Sequence, residues 1–251
     1  MIPHNQLSFQ LYSARELQPL GDQLKLLSEI GYRRVEPFGG ILAEPEKLKA
    51  VLDEFGLSSP STHIGVDRLT KEPDDVIAIA GFLGVELVVA PSLPIAERPV
   101  DVEGWSLFGK RLDEISKRLG GAGLRFGWHN HQYEFDRISG DTTPMEILFD
   151  AAPDMVWEAD LAWLTRADED PISWLDRYKG RVAAVHVKDI AREGEAIDEG
   201  GWADLGHGII DWQQLLPAAT KAGATLFVLE HDKPNDVERF ARRSFNTCST
   251  L

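Results

Sequence analysis

The stretch MVWEADLAWLTRADEDPISWLDRYKGRVAAVHV, residues 155–187, contains two apolar runs that flank a helical segment. The runs MVWEAD and RVAAVHV predict β-strands, since each is short, apolar and bounded by polar residues. Between them Asp170 precedes Pro171, which predicts the start of a helix because aspartate caps helix N-termini and proline fits the first turn. A strand, a helix and a second strand in this order predict two parallel strands joined by a helical crossover.

The same alternation of strands and helices extends outward along all 251 residues. The other strands are predicted in LSFQLY (7–12), RRVEPF (33–38), LSSPSTH (57–63), VELVVA (85–90), LRFGWH (124–129) and TLFVLE (225–230). The other helices are predicted at 20–30, 45–55, 74–83, 105–119, from 143 onward, at 211–222 and at 235–245. Eight strand–helix units in about 250 residues favour a closed (β/α)8 TIM barrel over an open sheet. Residues 1–251 are therefore predicted to form a single α/β domain.

The composition excludes several classes of partner and cofactor. The formal net charge of −15 opposes binding to the phosphates of nucleic acids. No run reaches the roughly 18 apolar residues of a membrane span, and MIPHNQLSFQLYS at the N-terminus does not resemble a signal peptide. We therefore expect no membrane association and a cytoplasmic location. Cys248 is the only cysteine, which excludes an internal disulfide and a cysteine-rich zinc site. The oligomeric state stays open, and a homo-oligomer is compatible with the sequence.

Four metal-ligating side chains stand at the ends of the last four predicted strands, namely His129, Asp160, His186 and Glu230. In a TIM barrel the C-terminal ends of the strands meet at the mouth, where the active site lies. Two imidazoles and two carboxylates form a suitable ligand set for one divalent cation. The sequence therefore predicts a metal centre at the mouth of the barrel.

Other polar or aromatic side chains near the predicted strand ends are candidates for substrate binding. They are Glu36, His63, His131, Trp163 and Lys188. Trp163 is expected to stack on a ring of the substrate, because it closely follows the predicted ligand Asp160, whereas Arg166 is expected on the surface. The longest irregular segment, Asp189–Gly208, is acidic and rich in glycine. It is predicted either as a lid, in which Trp202 closes over the substrate, or as a solvated connection.

The motifs around these residues resemble those of the sugar phosphate isomerase/epimerase superfamily, the xylose isomerase-like barrels. The motifs are GWHNHQYEF (127–135), WEADLAWLTRADEDP (157–171), GRVAAVHVKD (180–189), ADLGHGIIDW (203–212) and FVLEHD (227–232). The resemblance spans nearly the whole chain, and it implies that Asp160, His186 and Glu230 hold one divalent metal ion, often manganese in this family. Mn²⁺ is therefore the expected cofactor, with Mg²⁺, Co²⁺ and Zn²⁺ as alternatives.

One position departs from the pattern of the family. Many members have a glutamate at the end of the fifth strand, where it is both a metal ligand and an acid/base, but here His129 holds that place. The fourth ligand is then His129, His131 or water. Glu230 is the leading candidate for the catalytic base, and its acid/base partner is either His129 or Glu134.

The resemblance implies an isomerase or epimerase that acts on a keto sugar or a sugar phosphate by proton transfer next to a carbonyl held at the metal. A small-molecule carbohydrate is therefore the expected partner. The alternative is a metal-dependent lyase, which would eliminate from an inosose, a dehydroshikimate or a 3-keto sugar. A third hypothesis is that the protein is a non-catalytic sugar-binding barrel or a partner subunit. The superfamily's three-metal endonuclease of abasic DNA is excluded, because Trp163 replaces one of its additional histidines and the last long loop has no Asp-x-His.

Overall fold

Eight parallel strands form the inner layer of the computed structural model, which describes residues 2–251. They are β1 Leu7–Gln10, β2 Val35–Glu36, β3 Ser61–His63, β4 Leu87–Ala90, β5 Arg125–His129, β6 Val156–Asp160, β7 Val182–Val187 and β10 Leu226–Leu229. The strands pair in the order β2-β1-β10-β7-β6-β5-β4-β3. Two isolated parallel bridges, Arg34 with Ser58 and Phe38 with His63, link β2 to β3 and bring the ends of this order together. The predicted eight-stranded TIM barrel is confirmed.

Helices surround these strands on the outside. They are α1 Leu20–Ile30, α2 Pro45–Glu54, α3 Val66–Lys71, α4 Pro73–Leu83, α5 Val102–Gly120, α6 Pro144–Ala151, α7 Leu161–Arg166, α8 Pro171–Arg177, α9 Trp212–Ala222 and α10 Val237–Cys248. Each helix that the sequence predicts is present. The short helices α3 and α7 are additional, and both follow the C-terminal ends of strands. No helix of the described part of the chain is both long and apolar enough to cross a membrane.

The ends of the helices follow the side chains available for capping. Thr143 and Glu146 form the expected capping box at the start of α6. The last helix begins later than predicted, because Asp236 rather than Asn235 accepts the hydrogen bond from Arg239 N–H at 2.8 Å. The side chain of Asn235 instead donates to Asp198 in a neighbouring loop. The carboxylate therefore sets the start of α10.

Apolar residues fill the lower interior of the barrel and leave the polar residues at its mouth. Leu87, Val89, Ala184, Leu226 and Val228 form a buried cluster to which strands alone contribute. Alternate residues of a strand share one face. Glu230 and His186 stand two positions beyond Val228 and Ala184, so both point inward, one layer closer to the mouth. Charged and imidazole side chains occupy that layer.

The segment Asp189–Gly208 is tied to the barrel by its own side chains. It contains a short antiparallel pair, β8 Asp189–Ile190 and β9 Trp202–Ala203. The Asp189 carboxylate accepts backbone hydrogen bonds at 2.9–3.2 Å from Ile190, Gly206, Gly208 and Ile210. Arg239 of α10 binds two further carboxylates of the segment. These contacts anchor the segment to the barrel in the structure.

The packing of α5 provides a test of the fold that is independent of the site. Leu112 is fully buried on this helix, whereas Leu107 on the same helix is 59% exposed. Leu112→Ala is expected to lower the free energy of unfolding by about 2–5 kcal/mol, because it removes buried methyl groups and leaves a cavity. Leu107→Ala is the matched control and should change it by less than about 0.5 kcal/mol. Chemical denaturation measures both, and an equal loss in the two variants would contradict this packing.

Candidate metal centre

The four predicted ligands converge from neighbouring strands. His129 and Asp160 are the last residues of β5 and β6, His186 lies in β7, and Glu230 directly follows β10. All four are buried, and one ligand atom from each lies within 4.8 Å of those of the others. Asn130 fixes two of the strand ends relative to each other. Its side chain accepts a hydrogen bond from the Asp160 N–H and donates one to the Asp160 carbonyl, both at 3.0 Å.

The donor set fits a divalent cation. Imidazole nitrogens and carboxylate oxygens are ligands that Zn²⁺ and Mn²⁺ accept. His129 Nδ1 and Asp160 Oδ2 are buried, and neither forms a hydrogen bond with a described residue. Their nearest charged neighbours are Lys188 Nζ, 3.0 Å from Asp160 Oδ2, and Glu158 Oε2, 3.5 Å from His129 Nδ1. A cation between His129 Nδ1 and Asp160 Oδ2 would give both atoms a direct ligand bond.

The charge states of two of the four donors, His129 and Glu230, suit the same purpose. Burial, followed by the nearby His186, holds the pKa of His129 well below its usual value, so its ring is neutral and can ligate a metal. Burial would raise the pKa of Glu230, but Lys188 and His186 hold it well below the usual range. Glu230 is therefore an ionised carboxylate in a largely water-free setting.

His186 connects the four predicted ligands to a second buried cluster. Its Nδ1 lies 2.8 Å from Glu230 Oε2, while its Nε2 lies 3.0 Å from Glu36 Oε1 and 3.2 Å from Glu158 Oε2. We call Glu36 and Glu158 the inner carboxylate pair. The ring of His63 stacks on His186, with centroids 5.3 Å apart, and its Nε2 lies 2.5 Å from Glu158 and 3.0 Å from Glu36. Burial would lower the pKa of His63, but this pair raises it to about 9.

This second cluster also contains a possible ligand set. Four ligand atoms within 4.8 Å of one another come from His63, Glu158, His129 and His186. The two sets therefore share His129 and His186. In the second set the Glu158 carboxylate already bonds to His63. The set with Asp160 and Glu230 offers two carboxylates, one of which, Glu230, lines the cavity, whereas Glu158 does not line it. We therefore prefer the set with Asp160 and Glu230 as the metal site.

Glu36 does not lie where the sequence analysis expected. It was predicted to contact a substrate hydroxyl, but its side chain is fully buried beneath the mouth. Its carboxylate accepts hydrogen bonds from the Gln10 amide at 2.8 Å and from the Ser61 hydroxyl. Polar side chains from β1 and β3 cover the inward face of β2, so Glu36 contacts protein groups and does not line the cavity.

Lys188 and Trp163 also differ from their predicted substrate contacts. The Lys188 ammonium is 1% exposed and lies 2.8–3.0 Å from carboxylate oxygens of Asp160, Glu230 and Asp232. Trp163 packs against the Trp202 ring at a centroid distance of 4.7 Å, and neither Trp163 nor Lys188 lines the cavity at the mouth. Both side chains therefore stand behind the cavity wall.

The anchored segment covers these residues from outside. Trp202 is buried and does not line the cavity either. The Arg166 guanidinium lies 3.2 Å from the centre of the Trp202 ring and donates hydrogen bonds to Gly200 and Gly201 carbonyls at 2.9 Å. The expectation that Arg166 lies free on the surface was wrong, because this stacking depends on a loop distant in sequence.

Glu134 is held by its own loop. Its carboxylate accepts hydrogen bonds from the Trp128 indole N–H at 3.1 Å and from the His131 backbone N–H at 2.8 Å. The side chain is fully buried and outside the cavity wall, and burial raises its pKa to about 7. This geometry gives Glu134 a role in shaping the turn after β5 rather than a place beside a substrate.

A cavity of about 280 Å³ opens above the predicted ligands. His63, His129, His131 and Glu230 line it, as do three residues that the sequence analysis did not single out, namely Tyr12, Phe38 and Asp232. Each of these three stands two residues beyond an inward-facing residue at a strand end, as His131 does beyond His129. Because alternate residues share one face of a strand, this two-residue spacing could have identified them from the sequence. The volume lies near the lower end of the range for small-molecule sites.

The comparisons with known proteins agree with this architecture. A family model described as a xylose isomerase-like TIM barrel matches residues 24–247. The chain is 25% identical to the rhizopine catabolism protein MocC of Rhizobium meliloti, over 82% of this chain and 72% of that protein. It is 22% identical to an inosose dehydratase of Lacticaseibacillus casei, over 77% of this chain and 75% of that protein.

A solved structure extends the comparison to a bound metal. The crystal structure of the IolI protein with a bound zinc atom has the same fold, with a TM-score of 0.76 and 18% identity over 98% of this chain and 97% of that one. The family match covers most of the length of the chain and agrees with the motifs at its strand ends. The chain belongs to the xylose isomerase-like TIM barrel family.

Proposed function

We propose that this protein is a divalent-metal-dependent enzyme that removes a proton from the carbon next to the ketone carbonyl of a small carbohydrate. The observation that carries the proposal is the convergence of four buried metal-ligating side chains at the floor of a cavity of about 280 Å³. A pure binding protein has little use for a buried donor set of this kind, whereas metal-assisted proton removal requires one.

Asp160, His186 and Glu230 are the proposed ligands, and His129 is the proposed fourth. His129 is preferred to His131 because His129, and not His131, offers a ring nitrogen to the cluster of ligand atoms that lie within 4.8 Å of one another. The nitrogen ligands favour Mn²⁺ or Zn²⁺ over Mg²⁺, which prefers oxygen. When bound, the cation would supply Lewis-acid polarisation of a substrate carbonyl and so acidify the neighbouring C–H.

Glu230 is the proposed base. Its carboxylate is ionised, lines the cavity and is fixed by His186 Nδ1 and the Lys188 ammonium, both 2.8 Å from Oε2. A base held in this way can take a proton from a carbon in the cavity without rearranging its own partners. The buried imidazoles His129 and His131 lie beside the cavity and are the remaining groups that can relay a proton there.

Removal of a proton from the carbon next to the carbonyl is the first step of two candidate reactions. An isomerase returns the proton to the adjacent carbon, and one carboxylate suffices for that. A two-carboxylate epimerase needs a second carboxylate across the cavity. The other carboxylate in the cavity wall, Asp232, is only two residues from Glu230, and Glu134 is bonded elsewhere. A keto-sugar isomerase is therefore the first candidate. A dehydratase is the second, and the similarity to an inosose dehydratase favours it.

Incubation of the metal-loaded protein with keto sugars and inososes in deuterium oxide tests the proposal. Deuterium incorporation with an isomeric product indicates an isomerase, whereas deuterium incorporation with loss of water indicates a dehydratase. Binding without any exchange would contradict the proposal and identify a sugar-binding barrel. Mass spectrometry and proton NMR distinguish the three outcomes.

The inner carboxylate pair is expected to hold His186 in its ligating orientation. A ligating histidine gains basicity when its other ring N–H donates to a carboxylate. Glu158→Gln should therefore weaken metal affinity by about 10–100-fold, as such partners typically do. Competition with a fluorescent chelator measures the affinity. Glu238→Gln, at an exposed glutamate of α10, is the control. Equal affinities in wild type and Glu158→Gln would contradict this role.

A further inference from the structure

The cavity wall carries no free positive charge. No lysine or arginine is among the described residues that line it, and its two acidic side chains are those of Glu230 and Asp232. The Nε2 of His63 faces Glu36 and Glu158, and its Nδ1 lies 3.4 Å from the Gln10 amide. Both ring nitrogens of His63 therefore point to protein groups rather than to the cavity.

Lys188 adds no free positive charge to the cavity. Its ammonium stands behind the wall and contacts three carboxylates, those of Asp160, Glu230 and Asp232, at 2.8–3.0 Å. A divalent cation at the proposed centre and Lys188 together carry as much positive charge as these three carboxylates carry negative charge. The loaded site would then have no surplus positive charge with which to attract a phosphate dianion.

The part of the cavity wall next to Glu230 and Asp232, which follows β1 and β2, is aromatic. The rings of Tyr12 and Phe38 meet edge to face, with centroids 5.4 Å apart and an interplanar angle of 88°, and Tyr12 is 41% exposed. Both line the cavity. Aromatic faces of this kind pack against the C–H surface of a sugar or cyclitol ring, whereas a phosphate group would lose its hydration there without compensation.

Resting on the proposed function, we propose that the substrate is an uncharged, unphosphorylated keto sugar or cyclic polyol ketone, and that Asp232 excludes phosphorylated analogues. The carbonyl end of the substrate would face Glu230, and its ring would lie against Tyr12 and Phe38. A phosphate ester in the same pose would meet the Asp232 carboxylate, and no lysine or arginine lines the cavity to pair with it. The nearby Arg15 guanidinium lies 4.0 Å from the centre of the Tyr12 ring and donates a hydrogen bond to the Tyr12 carbonyl at 2.7 Å.

Deuterium exchange with matched pairs of sugars tests this directly. The metal-loaded protein is incubated in deuterium oxide with inosose, with D-fructose and D-fructose 6-phosphate, and with D-ribulose and D-ribulose 5-phosphate. We expect exchange into an unphosphorylated ketone, and exchange at least about tenfold slower into a phosphate ester. A phosphate ester that exchanges as fast as its parent sugar, or faster, overturns the inference but leaves the proposed function intact. Exchange into no compound contradicts the proposed function and the inference with it.

A charge-neutral variant identifies the residue responsible. Asp232→Asn removes the carboxylate and releases one partner of Lys188, so it should raise the affinity for a phosphate ester relative to its parent sugar by about tenfold or more. Asp141→Asn makes the same change of charge on an exposed loop outside the cavity and should leave that ratio unchanged. Calorimetric titration with D-fructose and D-fructose 6-phosphate gives the ratio, and an unchanged ratio in Asp232→Asn overturns the role of this residue.

Discussion

Asp160→Ala is expected to strip the protein of its divalent cation and of its activity. Asp160 Oδ2 is a buried carboxylate oxygen without a hydrogen bond, and it lies 3.0 Å from Lys188 Nζ. Removal of this oxygen deletes a ligand and also removes one of the three carboxylates that offset the Lys188 charge beside an incoming cation. Removal of a hydrogen-bond partner of a metal ligand typically lowers metal affinity by about 10–100-fold. The loss of metal affinity in Asp160→Ala should be larger than that. Elemental analysis of the purified variant measures the metal content.

A second variant separates the loss of metal from the loss of a helix cap. Asp160 Oδ1 also accepts hydrogen bonds from Ala162 and Trp163 N–H at 2.9 Å at the start of α7. Asp160→Asn retains a capping oxygen but removes the charge, so it should fold more stably than Asp160→Ala and still bind metal weakly. Equal metal occupancy in wild type and Asp160→Ala would refute the assignment.

Glu230→Gln is expected to lower kcat by roughly 10²–10⁴-fold, the usual cost of a lost general base. The amide keeps the shape of the side chain and one oxygen ligand, so metal content should fall far less than turnover. Steady-state kinetics and metal analysis on the same preparation give both quantities. Undiminished exchange of substrate protons with deuterium oxide in Glu230→Gln would show that another group is the base.

A second pair of variants tests which residue is the acid/base partner of Glu230. His129→Ala should impair turnover strongly, because this ring lines the cavity beside Glu230. Glu134→Gln should be milder, because its carboxylate bonds to the Trp128 indole and the His131 N–H instead. The reverse order of effects would contradict this distinction.

The barrel could be predicted from the sequence because its strands and helices are local. Runs such as RVAAVHV and caps such as Asp170-Pro171 depend on neighbouring residues, and the strand ends then converge by the geometry of the fold. The convergence of His129, Asp160, His186 and Glu230 follows from that reasoning alone.

The surroundings of the site could not be predicted in the same way. Glu36 lies 150 residues from His186 in sequence, yet their side chains are 3.0 Å apart. That contact depends on the order of strands around the barrel and on which side chains fill each layer of its interior. The contacts of Trp163 and Arg166 with Trp202 could not be predicted for a similar reason, since Trp202 belongs to a loop whose path the sequence does not reveal.

Anomalous diffraction from crystals of the zinc- or manganese-loaded protein tests the central claim most directly. The account predicts a single strong peak at the mouth of the barrel, bonded at about 2.0–2.2 Å to Asp160, His186 and Glu230, with His129 as the fourth ligand. A peak held instead by His63 and Glu158, or no peak at these strand ends, would contradict it.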